Sequence, residues 1–111
     1  MTLRLKQNPT LADIQKYVHN LEVDRGFTDV TLTQNCLLLG EEIGELFKAI
    51  RKSEKMRVDH NSKIGTVEEE LADVIIFLCS IANRLDIDIE QAFRDKEEIN
   101  KLRSWGVSKS T

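Results

Sequence analysis

Proline is nearly absent. The single one, Pro9, stands ahead of every helical stretch, and nothing after it can break a helix in that way. Aromatic residues are scarce too, 5% of 111 residues against 41% apolar overall, so leucine, isoleucine and valine must supply most of the burial. No apolar run is long: VIIFL falls far short of the roughly 18 residues that a membrane span needs. The opening MTLRLKQNPT holds no apolar stretch of signal-peptide length. An excess of positive charge is missing as well. Charged residues make up 32%, the signs are mixed and the net charge is −3, which excludes the basic face of a general nucleic-acid binder. Cysteine is limited to Cys36, in NCLLL, and Cys79, in IIFLCSI. Both read as buried free thiols rather than as a disulfide or a metal site, and a reduced, cytoplasmic location is the expectation.

What is present is one domain over residues 1–111, with 1–9 and 106–111 expected as flexible ends. Four helical stretches carry start signals. Thr10 and Asp13 form a capping pair ahead of Leu11, Ile14, Val18 and Leu21, and Arg25-Gly26 ends that run. Thr31 with Gln34 opens a second helix, which fades in RKSEKMR before the loop VDHNSKIG. Thr66 with Glu69 opens a third, to about Leu85, and Asp88 with Gln91 a fourth, to about Arg103. VIIFL alone would suit a strand, but the apolar stretch continues past it for longer than a strand, which favours helix. The reading is an all-α four-helix bundle. The third helix is apolar around its whole circumference between Val74 and Ala82, more than a chain this short can cover. Completion of the bundle by a homo-oligomer, a dimer or tetramer, is therefore expected.

The acids of LLLGEEIGELFKAI are the informative feature. With Glu42 at zero and about 100° per residue, Leu46, Leu39, Ile50, Ile43 and Cys36 occupy roughly 40° to 120°. Leu38 and Ala49 fall at about 320° and about 340°, which puts Glu42 inside the apolar arc. Glu45 lies at the edge of that arc, at about 300°, and Glu41 further out, at about 260°. The third helix repeats the pattern in ELAD, where Glu70 and Asp73 share a face with Phe77. Glu68 and Glu69 are explained by the helix dipole and the cap. An acidic run is ordinarily a solvated face. Two inward pairs on two helices would instead repel one another unless protonated or bridged by a cation. All-oxygen ligation favours a hard ion, Mg²⁺ or Mn²⁺. On the fourth helix, Lys96, Asn100 and Arg103 fall on the inward face marked by Ile89, Ala92 and Phe93. They either turn their charged ends to solvent or the acids, or form a cationic wall for a polyphosphate.

EEIGE followed by ELAD resembles the EExxE…ExxD signature of the MazG-like nucleoside triphosphate pyrophosphohydrolases. This all-α superfamily also holds dimeric dUTPases and phosphoribosyl-ATP pyrophosphohydrolase. KEEINKLR is similar to the family's Lys-x-x-x-Asn-x-x-Arg segment, and the likeness spans roughly residues 10 to 105. The resemblance implies Mg²⁺-dependent cleavage of a (d)NTP between the α- and β-phosphates, in nucleotide-pool housecleaning. It implies Glu42, Glu45, Glu70 and Asp73 as metal ligands. Glu41 would stand behind them, or orient or deprotonate the attacking water beside Glu42. Lys96, Asn100 and Arg103 would hold the phosphates or the sugar. Phe27 and Asn35 are candidates for the base pocket, Phe27 being equally at home as a packing residue. His19 reads as an exposed helical residue and His60 as a loop residue. The alternatives are phosphoribosyl-ATP hydrolysis and a non-catalytic helical interaction module.

Overall fold

Threonine opens three of the helices. In the computed structural model, which describes residues 2–103 and 106, Thr10, Thr31 and Thr66 each accept a hydrogen bond from the backbone N–H three residues on. These caps precede α1 (Leu11–Arg25), α2 (Leu32–Ser53) and α3 (Val67–Arg84); Asp88 caps α4 (Ile89–Lys101). Each threonine satisfies one otherwise orphaned donor and Asp88 two, those of Glu90 and Gln91; a cap of this kind is worth about 1 kcal/mol. The boxes at Thr10–Asp13 and Thr31–Gln34 are reciprocal. Asp13 is held below the usual carboxylate range by the Thr10 backbone N–H first and by Lys6 after it. Two boxes differ from the sequence expectation. Glu69 accepts from the Thr66 hydroxyl rather than its backbone, and Gln91 donates to Asp95, one turn on, instead of reaching back to Asp88. Gly26 closes α1 at φ 73°, a left-handed conformation that favours glycine. No strand occurs among the described residues, and VIIFL lies inside α3.

The α2–α3 hairpin makes the largest contact; α1 lies across α3, and α4 packs on α1. Val18, Leu21 and Cys79 form the core, joined at its rim by Leu3, Ile14, Tyr17, Ile76 and Ile89. In the segment before α1, the Leu3 carbonyl accepts from the Tyr17 hydroxyl at 3.3 Å. The expected flexible end 106–111 lies outside the described residues, Gly106 excepted. No helix of the described residues is long and apolar enough to cross a membrane.

Two expectations are corrected here. Cys79 is buried and Cys36 exposed, both as free thiols. The line of α2 most deeply turned to α3 runs Asn35–Glu42–Ala49, and Asn35 and Ala49 are each 3% exposed. Cys36 sits about 100° round from Asn35 and misses that contact. The fourth helix was expected to wall the acids. Instead α4 packs on α1 and makes no extended contact with α2 or α3 within the chain, and Phe93, expected inward, is exposed.

The position of α4 follows from one buried amide. Gln15 donates from Nε2 to the Ile87 carbonyl at 2.8 Å and to Asn83 Oδ1 at 3.2 Å, and its Oε1 accepts from the Ile89 N–H at 3.0 Å. Asn83 Nδ2 donates back to the Gln15 carbonyl at 2.8 Å. The α3–α4 turn is thereby fastened to α1. Gln15→Ala leaves these half-buried partners unsatisfied. It should cost about 2–3 kcal/mol in urea unfolding, with faster hydrogen exchange concentrated in α4.

Candidate metal and nucleotide site

The antiparallel α2–α3 pair brings Glu42 opposite Glu70 and Asp73. One carboxylate oxygen from each lies within 4.8 Å of the other two. Glu70 and Asp73 share a face of α3 because they are three residues apart. Glu42 shares the inward line of α2 with Asn35 and Ala49 because the spacing is seven. Glu70 is buried, and the other two are half-buried. Among the described residues no lysine or arginine ion-pairs with any of the three. The Glu42 carboxyl is consequently pushed above the usual range. Burial is the main cause, followed by the charge of Asp73, hydrogen bonding with Glu70, and the charges of Glu70 and Glu45.

Three oxygen donors of one charge, close together and without a counter-ion, suit a hard divalent cation; no histidine or thiol takes part. Glu45 stands outside this trio, with Oε1 3.6 Å from Lys48 Nζ. That pair is substantially exposed and holds Glu45 weakly. Glu41 is exposed on the flank of α2.

A cavity of about 340 Å³ adjoins the acids and shares Asp73 with them. Phe27 and Asn35, the base-pocket candidates, both line it, with Phe77, Ser80, Glu22 and Arg84. Asn35 Nδ2 donates to Ser80 Oγ at 2.6 Å across the α2–α3 seam. Sequence reasoning missed Ser80, Glu22 and Arg84. The signal was legible in part, since Asp73, Phe77, Ser80 and Arg84 recur at helical steps of four, three and four along α3. Lys96 and Asn100 instead line a separate hollow of about 310 Å³ on α4, beside Phe93, and Arg103 is exposed just past that helix. The chain thus brings the acids and the base-pocket candidates together, and leaves the basic trio apart. His19 is exposed on α1 and His60 lies in the connection between α2 and α3, as read from the sequence.

Gly65 was read only as loop. A Cβ there would lie 2.5 Å from Glu70 Oε1, so this position must stay bare for the carboxylate to sit where it does. Gly65→Ala should displace the flexible end of Glu70 with little change in metal-free melting. In a calorimetric titration with Mg²⁺ it should weaken binding about tenfold or more.

The acids also set a pH signature. Because the folded chain raises the Glu42 carboxyl above its ordinary value, folding takes up a proton. The stabilisation is full below the ordinary glutamate range and is lost as pH rises through the elevated folded value. Melting in chelator across about pH 4 to 8 should show this decline. Glu42→Gln should flatten the decline, melt higher than wild type at neutral pH without metal, and gain less from added Mg²⁺.

The MazG nucleotide pyrophosphohydrolase domain matches residues 30–104. A dATP/dGTP diphosphohydrolase of Cyanophage S-2L is 33% identical over 96 residues, covering 85% of this chain and 72% of that protein. The dCTP pyrophosphatase 1 of Mus musculus is 29% identical over 105 residues, covering 90% of this chain, which spans 62% of the mouse protein. The crystal structure of iMazG from Vibrio DAT 722 superposes with a TM-score of 0.61 at 29% identity, covering 85% of this chain and 100% of that one. Helix order, acid placement and these likenesses agree: the chain belongs to the MazG nucleotide pyrophosphohydrolase family.

Proposed function

We propose that this chain is a Mg²⁺-dependent pyrophosphohydrolase. It cleaves a (d)NTP between the α- and β-phosphates and releases a monophosphate and pyrophosphate. One observation carries the reading: the Glu42–Glu70–Asp73 cluster opens, through Asp73, onto a largely apolar cavity suited to a nucleoside. Glu42, Glu70 and Asp73, with Glu45 rotated inward, are the residues that would hold Mg²⁺ or Mn²⁺. The cation when bound would supply neutralisation of the triphosphate charge and activation of water. The carboxylates stand on two capped helices, which fixes their spacing without a mobile loop. Glu41, exposed on α2 beside Glu42, would orient the incoming water or accept its proton. The cavity walls orient the nucleoside and exclude water from around it.

The basic trio completes the site only if a second copy supplies it, because α4 does not reach the acids of its own chain. Several observations support a homodimer or homotetramer. Leu71, Ile75 and Leu78 on α3 and Leu37 and Phe47 on α2 are exposed. Among the described residues only Val18 and Cys79 are large and fully buried. The radius of gyration is 17.5 Å, against about 13–14 Å for a self-contained domain of this length. In such an assembly Lys96, Asn100 and Arg103 of the neighbouring copy would donate to the phosphates. The free thiols fit a reducing, cytoplasmic setting.

The test is pyrophosphate release from a panel of NTPs and dNTPs, and from phosphoribosyl-ATP, with Mg²⁺ and with chelator. Release from ordinary nucleotides only with metal is expected, as is a fall of about 100-fold or more for Glu42→Gln. Specific activity should also decline on dilution, as the assembly dissociates. Turnover confined to phosphoribosyl-ATP would move the reading to that reaction, and no turnover with any nucleotide would leave an interaction module.

A further inference from the structure

We propose that Glu22, held by Arg84, selects nucleobases that carry an exocyclic amino group (cytosine, adenine and guanine) over uracil and thymine. This rests on the proposed hydrolysis and assigns the specificity of the same site. The cavity beside Asp73 is apolar over most of its wall, so its few polar groups must do the discriminating. Asn35 spends an amide hydrogen on Ser80 at 2.6 Å. Arg84 spends Nη2 on Glu22 Oε2 at 2.9 Å and on the Phe27 carbonyl at 3.4 Å, while its Nε is sealed from solvent. Glu22 Oε1, by contrast, has no hydrogen-bond donor among the described residues.

The ion pair fixes that second oxygen in place, and the Glu22 and Arg84 side chains are only 15% and 21% exposed. A carboxylate oxygen accepts hydrogen bonds and cannot donate them. Against an amino group it forms a charge-assisted bond. Against the keto oxygen of uracil or thymine it is repelled and left unsatisfied in a sheltered place. The single ring N–H of those bases is flanked by two carbonyl oxygens, which the carboxylate also repels. Arg84 Nη1 keeps hydrogens for the ring-nitrogen acceptor beside the amino group in the favoured bases. Position along α3 agrees: Arg84 lies eleven residues after Asp73, about 16 Å of helix axis. The long side chains of Glu22 and Arg84 close part of that distance, leaving room for a sugar and base.

The experiment compares kcat/KM for dCTP, dATP and dGTP with that for dUTP and TTP, in the wild-type chain and in Glu22→Gln. The wild type should favour each amino-bearing nucleotide by about tenfold or more. Glu22→Gln keeps an acceptor for Arg84 and adds an N–H₂ that can meet a keto oxygen. Its preference should shrink to about threefold or less, through a gain on dUTP and TTP. The change should appear mainly in KM, and Mg²⁺ affinity should stay at the wild-type value. Calorimetric titration of the metal-free wild type with CMP and UMP reads the same preference without turnover. Equal wild-type handling of dUTP and dCTP, with equal binding of UMP and CMP, overturns the inference without recourse to a variant. So does a Glu22→Gln chain with unchanged ranking. Either result leaves the hydrolase reading standing, whereas absence of pyrophosphate release from every nucleotide sinks that reading itself.

Discussion

Repulsion between carboxylates in the α2–α3 seam is the constraint on which the rest of the structure depends. Glu42, Glu70 and Asp73 sit where a helical hairpin ordinarily places leucine, and among the described residues no basic side chain ion-pairs with them. Burial first, and the neighbouring carboxylates after it, displace the Glu42 carboxyl upward. A fold that keeps such a cluster stores a cost that a bound divalent cation would offset. The glycine at position 65 leaves the space that the Glu70 carboxylate occupies.

The second constraint is insufficiency. The hairpin exposes aliphatic residues on both helices, and α4 hangs on α1 through Gln15 and Ile89 rather than closing a bundle with α2 and α3. A domain of this length that buries so few large side chains has much of its hydrophobic stabilisation still to gain. Association of copies would recover it, and the same step would carry the basic face of α4 toward another chain's acids. Stability and chemistry would then be linked, since one surface governs both.

The cavity beside the acidic cluster has a different logic. Its walls are mostly apolar, and its polar groups are largely engaged with one another, Asn35 with Ser80 and Arg84 with Glu22. Preorganised groups of this kind discriminate by what they leave unsatisfied when the wrong partner enters. Only a few hydrogen-bonding positions remain available to a ligand, which makes the chemical character of Glu22 consequential.

The sequence by itself determined the helices and the inward turn of the acids, because both depend on contacts within about four residues. Thr10, Thr31, Thr66 and Asp88 mark helix starts through bonds that reach only two or three positions, and Glu42, Glu70 and Asp73 are placed by the helical repeat. Periodicity gives a face but not its neighbour, and there the reading ran out. Cys36 lies in the apolar arc of α2 yet is exposed, since the contact centres on Asn35, Glu42 and Ala49. Lys96, Asn100 and Arg103 share a face, but it was the docking of α4 on α1 that kept them from the acids of their own chain. Only the tertiary structure decided which side chains from distant segments meet, joining Glu22 of α1 to Arg84 of α3 and Asn35 of α2 to Ser80. Such pairings are set by how helices cross, a relation that no local spacing encodes.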